Sequence, residues 1–252
     1  MRNRLGVSLA VCLALAAGNP ARADDQADMK ALLAKAIKAA GGEKKLANIK
    51  AMTYKFKGKF YGMGQESDYT AETAVQFPDQ SKTTITAEAN NMTFTFVMVF
   101  NKNKGWRKFG DQTEAMTKEQ VAEEKENLYG RTVTQLVALK DKKFKLAPLG
   151  ETKVGKKDAV GMKVSSKGHR DISLYFDKKT GLLLKSVSNV KDMGSGKEVE
   201  AETYFLDYKK VEGVQRPTKL KIKRDGKKYV DVDEITDFKV EEKLDDSEFA
   251  KP

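Results

Sequence analysis

The sequence predicts a mainly β fold of the α+β class, built from antiparallel strands with a few helices. Apolar and polar residues alternate over most of the chain after Met52, and a period of two is typical of half-buried strands. Helical periodicity is confined to two stretches, near residues 24–40 and 117–139. Short turn-forming segments separate the predicted strands, without a linker or a repeat. We therefore expect one domain over residues 24–252.

The first 23 residues have the features of a secretory signal peptide. A positively charged start precedes an apolar stretch over residues 5–18 and the small residues Ala21 and Ala23. The apolar stretch is shorter than the roughly 20 residues that a membrane-spanning helix needs. We therefore expect residues 1–23 to be removed during export, which leaves a periplasmic or secreted protein without a permanent membrane span.

The only cysteine of the chain, Cys12, lies inside this apolar stretch. The alternative to a signal peptide is lipoprotein-type cleavage in front of Cys12, but that site requires a small residue where the chain has Val11. Removal of residues 1–23 leaves no thiol. Disulfides, thiolate catalysis and cysteine-ligated metals are then excluded together.

The chain is basic, with 47 Lys+Arg, 36 Asp+Glu and a formal net charge of +11. Loss of residues 1–23 removes three arginines and lowers the net charge to +8. Because acidic residues are interspersed with the basic ones, the pattern indicates solvated strand faces rather than a nucleic-acid-binding patch. Attraction to anionic lipids or envelope polymers stays open.

Two helical stretches interrupt the strand pattern. The first ends at Gly41-Gly42 and is followed by one or two further helical turns over residues 43–49. Thr117 begins the second, with Gln120 in capping-box spacing, and we expect a break at Gly130. The apolar stripe of the first helix consists of Met29, Leu32, Leu33, Ala36, Ile37 and Ala40.

The remaining segments are predicted strands. The segment 92–100 is the most apolar of them and is expected to be central in the sheet. Lys178 to Gly181 and Arg224 to Lys227 are predicted hairpin turns. The predicted strands are 52–60, 69–77, 81–88, 92–100, 106–110, 144–153, 158–166, 170–177, 182–191, 198–211, 214–224 and 227–241.

Several segments resemble the outer-membrane lipoprotein-sorting (LolA-like) family, and together they extend over nearly all of residues 24–252. The clearest are the strand–turn–strand segment from Phe176 to Leu183 and the segment from Asp207 to Val214, which is followed by Arg216-Pro217. The other segments that fit the family are Gly41 to Ile49, Gly105-Trp106 and Asp245 to Pro252.

The resemblance implies a curved, unclosed antiparallel half-barrel of about eleven strands, with helices over its concave face and an apolar cavity between them. It implies a non-enzymatic carrier or binding protein that holds an acyl chain, a lipid or a lipidated protein. In the best-known carrier of the family, a buried arginine on the sheet bonds to the helical lid. The matching first strand here has Lys55, Lys57 and Lys59 and no arginine.

Aromatic and methionine residues on the inner strand faces are the candidate ligand-binding residues, because methionine adapts to irregular acyl chains. For each of them the alternative is simple packing under the helices, and Trp106 is equally suited to a core or rim position. The candidates are Tyr54, Phe56, Phe60, Phe94, Phe96, Met98, Trp106, Leu174 and Phe176.

Two alternative functions stay open at this point. One is an envelope protein-interaction or sensor module with the same fold and a filled core. The other is a secreted hydrolase in which His169, the only histidine, is oriented by Asp171 and activates Ser165 or Ser166. The sequence indicates no cofactor and no metal site, because a lone histidine without cysteine does not make a zinc site.

Overall fold

The computed structural model describes residues 23–62, 64–89, 92–192 and 195–252. Residues 1–22, with the predicted lipidation alternative at Cys12 and most of the predicted signal peptide, lie outside the described residues. The described helices are α1 (Ala23–Ala40), α2 (Glu43–Ala47) and α3 (Lys118–Thr134), with short 3₁₀ segments at Val137–Lys140 and Asp246–Phe249.

The strands in the described part of the chain form a single antiparallel sheet of thirteen strands. They are β1 (Ala51–Phe60), β2 (Ser67–Gln76), β3 (Gln80–Ala89), β4 (Met92–Asn101), β5 (Lys104–Phe109), β6 (Gln112–Ala115), β7 (Phe144–Val154), β8 (Lys157–Ser166), β9 (Ile172–Asp177), β10 (Leu183–Lys191), β11 (Glu198–Val211), β12 (Val214–Arg224) and β13 (Lys227–Glu241).

The sheet consists of two meanders joined by their first and last strands. Its order is β6-β5-β4-β3-β2-β1-β13-β12-β11-β10-β9-β8-β7, so β1 pairs with β13 and the edge strands β6 and β7 stay apart. The sheet is therefore the curved, unclosed half-barrel that the sequence predicted. Helix α3 connects the two edges and crosses the sheet, with contacts to β5 on one side and β10 on the other.

The thirteen strands exceed the number of about eleven that the resemblance implied, and they exceed by one the twelve that the sequence pattern predicted. The strand that the pattern missed is β6, which has only four residues and no apolar alternation. It pairs with β5 at the edge of the sheet, where Trp106 lies opposite Ala115. An edge strand this short carries too few residues to show a period.

The predicted N-terminal cap of α3 is confirmed. The Gln120 N–H donates to Thr117 Oγ1 at 3.3 Å, and the Thr117 N–H donates to Gln120 Oε1 at 3.0 Å. The expected break at Gly130 is wrong, because α3 continues to Thr134. A β-carbon at Gly130 would lie 3.9 Å from Ile172 Cδ1, an ordinary van der Waals distance, so the packing of α3 on β9 does not require glycine at this position.

Helix α1 covers the concave face of the sheet at the end where β1 begins. Its predicted stripe is confirmed, since four of its residues belong to the main core. The chain leaves the helix through Gly41, where a β-carbon would lie 2.8 Å from the Gly213 carbonyl oxygen. This close approach fixes the end of α1 on the hairpin between β11 and β12. The four buried residues are Met29, Leu33, Ala36 and Ile37.

The convex face of β1 carries three lysines, each paired with acidic residues of the neighbouring strands. Lys57 Nζ lies 2.7 Å from Glu234 Oε2 and Lys55 Nζ lies 3.2 Å from Glu72 Oε1. Lys59 pairs with Glu66. The basic residues of this strand are therefore balanced locally by cross-strand acids.

A second, smaller core lies on the convex face. Val99 and Phe249 are both fully buried there, and Trp106 packs against them. The Asn101 side chain donates to the Phe249 carbonyl at 3.1 Å and holds the C-terminal 3₁₀ segment in place. The C-terminus is therefore part of the folded structure. No helix in the described segments is long and apolar enough to cross a membrane.

We predict that Phe249→Ala lowers the free energy of unfolding by about 3–5 kcal/mol, because truncating a buried phenylalanine leaves a cavity. The matched control is Phe109→Ala, since Phe109 is 56% exposed and its loss should cost about 1 kcal/mol or less. Urea denaturation measures both values. Equal losses in the two variants would contradict the packing of the C-terminal segment.

Candidate functional site

A cavity of about 590 Å³ lies between α3 and the concave face of the sheet. This volume is within the range of roughly 300–1,000 Å³ that is usual for small-molecule sites. Strands from both meanders contribute to its wall, with β1, β3 and β4 on one side and β10 to β13 on the other. The pairing of β1 with β13 therefore builds the cavity, because it brings these two groups of strands into one surface.

The cavity wall combines apolar side chains with neutral hydroxyl groups. The apolar part is contributed mainly by the central strands, and α3 adds Leu128 and Tyr129 from above. Thr73 and Thr83 share a hydrogen bond of 3.0 Å on this face. The apolar wall residues of the sheet include Met52, Met98, Phe100, Phe205, Leu220, Ile222, Val230, Ile235 and Phe238, and the hydroxyl-bearing ones include Ser81, Thr83, Ser186, Ser188 and Thr203.

Tyr54 and Met98 are the two predicted ligand-binding residues that line this cavity. They lie in one row across the sheet, because Tyr54 pairs with Thr73, Thr73 with Thr83, and Thr83 with Met98. Antiparallel residues directly opposite each other point to the same face. The row therefore confirms the predicted strand orientation, without testing ligand contact.

Four further predicted residues lie on the same face but beyond the cavity. Phe56 and Phe96 belong to the next row, and Phe94 to the row after it. Phe94 stacks on the exposed Phe109, with ring centroids 6.0 Å apart. Together with Phe60, which lies at the end of β1, these aromatics continue the inner surface away from α1.

The last three predicted residues have other positions. Leu174 and Phe176 are fully buried in the main core, so they support the inner surface without lining the cavity. Trp106 lies on the convex face, because it pairs with Val99 rather than with an inner residue of β4. Trp106, which was a candidate ligand-binding residue, therefore packs with Phe249 in the convex-face core and does not line the cavity.

Two polar contacts join the C-terminal half of α3 to the sheet inside the cavity. Arg131 Nη1 donates to Tyr54 Oη at 2.6 Å. Arg216 Nη2, from β12, contacts Gln135 Oε1 at 3.4 Å, just after the end of α3. Each contact pairs a cation with a neutral group. Helix α3 forms the lid of the cavity, and these two contacts attach its C-terminal half to the sheet without a salt bridge.

Arg216 is a buried arginine of the sheet, and its side chain contacts Gln135 just after the end of α3. It lies on β12 rather than on the first strand, and its guanidinium carbon is 4.7 Å from the ring centroid of Phe238. Its Nε is buried and has no hydrogen-bond acceptor among the described residues. Burial lowers the pKa of Arg216 to about 10, so it remains cationic at neutral pH. The Arg216-Pro217 pair was visible in the sequence, but only the folded chain shows its contact with the lid.

The N-terminal half of α3 is clamped to the sheet by charged groups. Arg170 donates from both terminal nitrogens to the Glu123 carboxylate, at 2.9 and 2.8 Å. Burial disfavours the charged form of Glu123, but hydrogen bonds from Arg170 and the Lys191 N–H outweigh it and lower the pKa of Glu123. This bidentate pair anchors the helix between the start of β9 and the end of β10.

His169 belongs to the same clamp. Its Nδ1 lies 2.8 Å from Glu126 Oε1, and its ring stacks on Tyr129 at 3.9 Å. Asp171 instead pairs with Lys163 at 2.7 Å. The expected alignment of His169 with Asp171 and a serine is therefore not formed, and the histidine serves to attach the lid.

The fold is similar to that of three solved bacterial proteins. A LolA superfamily protein from Nitrosomonas europaea has a TM-score of 0.55 at 12% identity, over 88% of this chain and 97% of that one. A DUF1329 family protein from Desulfovibrio piger gives 0.56 at 13% identity, over 88% and 97%. An outer membrane lipoprotein-sorting protein domain from Vibrio parahaemolyticus gives 0.55 at 11% identity, over 89% and 97%.

These similarities confirm, at the level of the fold, the resemblance that the sequence motifs indicated. No family model and no curated protein sequence matches the chain. At such low sequence identities, the similarity concerns the fold alone, which is the curved sheet with its helical cover. This chain therefore shares the fold of these three proteins, one of which is described as a LolA superfamily protein.

We predict that acid releases the N-terminal half of α3. A carboxylate whose pKa is lowered by folding stabilises the structure above its unfolded pKa of about 4.3, and the stabilisation is lost as the pH falls through the lower folded value. Amide hydrogen exchange in α3, corrected for intrinsic rates, should therefore accelerate below about pH 4 relative to the core strands.

Glu123→Gln should produce the same acceleration at neutral pH, because it removes the charge that Arg170 binds. Lys125→Gln is the control, since Lys125 is exposed on the same helix. An α3 that exchanges as slowly in Glu123→Gln as in the control would show that the clamp does not hold the helix.

Proposed function

We propose that this protein is a non-enzymatic binding protein of the cell envelope that holds an acyl chain in the cavity beneath α3. The acyl chain belongs to a free lipid or to a lipidated protein, since both present the same hydrocarbon. The observation that supports the proposal is the cavity of about 590 Å³ between the lid and the sheet. A module with a filled core would not need this space.

The energetics favour hydrocarbon binding in such a space. Burying one methylene group contributes about 0.8 kcal/mol, so several buried methylenes supply enough free energy to hold a chain. The losses of ligand and lid freedom on binding offset a large part of this gain. An apolar wall under a lid held by polar contacts therefore permits both capture and release.

We propose Tyr54 and Met98 as direct ligand contacts, because they line the cavity. Phe56, Phe60 and the Phe94–Phe96 segment extend the same surface, where the rest of a longer chain would lie. Leu174 and Phe176 support the wall from within the core.

The proposed location is the periplasm, which follows from the signal peptide predicted over residues 1–23. The mature protein would then comprise residues 24–252. The similar solved structures support this proposal through their fold, since one of them is named for outer membrane lipoprotein sorting.

An envelope protein partner is the second candidate, and an exposed apolar patch favours it. Met92 and Phe109 are 55% and 56% exposed at the end of the inner surface remote from α1. Large apolar side chains exposed together are typical of interaction sites. A lipidated protein would use both features, with its acyl chain in the cavity and its polypeptide at this patch.

Lipid extraction and native mass spectrometry of the mature protein, purified from its bacterial host, test the proposed function. We expect a bound species with the mass of a fatty acid, a phospholipid or a lipopeptide, and protection of an added fluorescent fatty acid from water. Protein without bound lipid that also leaves the fluorescent fatty acid in water would refute the proposal and favour the protein-interaction module.

We predict that Thr83→Phe lowers the affinity for palmitate about tenfold or more, because the larger side chain excludes two or three methylene groups from the cavity. Thr84→Phe is the matched control, since Thr84 pairs with Glu72 and Val97 on the opposite face of the same strand. Titration calorimetry measures both affinities. Equal affinities in the two variants would place the ligand outside the cavity.

A further inference from the structure

Only some of the arginines that line the cavity have a carboxylate partner. Two of its arginines have carboxylate partners, because Arg170 pairs with Glu123 at 2.8 Å and Arg224 with Asp192 at 3.3 Å. The other two, Arg131 and Arg216, have no carboxylate oxygen within 4.0 Å among the described residues. The cavity thus contains two cations whose hydrogen-bond partners are neutral.

These two arginines flank one tyrosine. Arg131 donates to the Tyr54 hydroxyl, and Arg216 is close enough to Tyr54 for an electrostatic interaction. The Tyr54 ring stacks against Phe238 at 6.4 Å, and Phe238 in turn lies against the Arg216 guanidinium. The aromatic rings therefore position the two guanidinium groups, while their remaining N–H groups stay available inside the cavity.

The carboxylates of the cavity do not neutralise this pair. Glu126 accepts hydrogen bonds from the Arg170 N–H and pairs with His169. Glu124 accepts from Asn127 at 3.3 Å and interacts electrostatically with Arg131 without forming an ion pair with it. The guanidinium groups of Arg131 and Arg216 therefore have no carboxylate of the described segments bound directly to them.

We propose that Arg131 and Arg216 bind the anionic group of an amphiphile, a carboxylate or a phosphate, whose hydrocarbon chain occupies the apolar part of the cavity. This inference rests on the proposed function and names the ligand class for the same site. Guanidinium groups suit planar, bidentate recognition of carboxylate and phosphate. The buried Nε of Arg216, which lacks an acceptor, supplies one of the donors that such a ligand would satisfy.

Binding of palmitate, palmitoyl lysophosphatidate and hexadecanol to the mature protein tests this inference by titration calorimetry. The three ligands have the same chain and differ in the head group. We expect one or both anionic ligands to bind about tenfold more tightly than hexadecanol. The tighter of the two anionic ligands identifies a carboxylate or a phosphate as the preferred group.

Arg216→Gln and Arg131→Gln should each weaken binding of the anionic ligands more than binding of hexadecanol, and so remove most of this preference. Arg216→Lys should retain part of the preference, because it keeps the charge and loses the bidentate geometry. Lys219→Gln is the matched control, since Lys219 is on the same strand and pairs with Asp207 at 2.8 Å outside the cavity.

The outcomes separate this inference from the proposed function. Equal binding of the three ligands would overturn the anion site and leave the cavity as a hydrocarbon site. Loss of hexadecanol and palmitate binding to the same extent in Arg216→Gln would also overturn it, because Arg216 would then act only by holding the lid. Failure of all three ligands to bind the unaltered protein would overturn both proposals.

Discussion

The pairing of the first strand with the last is the constraint on which the whole structure depends. It joins two meanders into one sheet of thirteen strands with a single continuous inner face. A sheet of this width curves, because each pair of strands adds to the twist. The inner face of such a sheet is larger than α1 and α3 can cover by direct contact. The cavity follows from this mismatch between a broad curved sheet and a narrow helical cover.

Both helices attach to the sheet through the main core. Helix α1 contributes its apolar stripe, and α3 contributes Leu128, Tyr129 and Val133, so detaching either helix would expose buried hydrocarbon to water. Helix α3 differs in having polar contacts to the sheet at both ends in addition to its apolar ones. These contacts fix the position of α3 above the cavity.

The same arrangement explains how one cavity accommodates hydrocarbon and charge. The middle of the wall is apolar or carries neutral hydroxyls, whereas the unneutralised arginines lie where α3 ends and β12 passes beneath it. An amphiphile has the same division between a chain and a head group. In the proposed complex, the arginines that hold the end of α3 would also bind the anionic group of the ligand.

Much of the fold could be predicted from the sequence, because strand alternation and capping are local signals. The inner face of β4 and the Thr117 cap are confirmed for this reason. The short edge strand β6 was missed because four residues show no period. The predicted break at Gly130 is absent because a single glycine weakens a helix by only about 1 kcal/mol, and α3 is packed on the sheet on both sides of it by Leu128, Tyr129 and Val133. The sequence left Trp106 open between a core position and ligand contact, since the face it occupies depends on its pairing with Val99. The role of Arg216 required knowledge of which helix lies above β12.

The most direct test of this account is a crystal structure of the protein with palmitate brominated at the end of its chain. Anomalous scattering locates the bromine independently of the protein atoms. The account predicts a bromine between α3 and the inner face of the sheet, beside the apolar wall that includes Met98 and Leu220, with the carboxylate near Arg216. A bromine on the outer surface, or an empty cavity in crystals grown with saturating ligand, would contradict it.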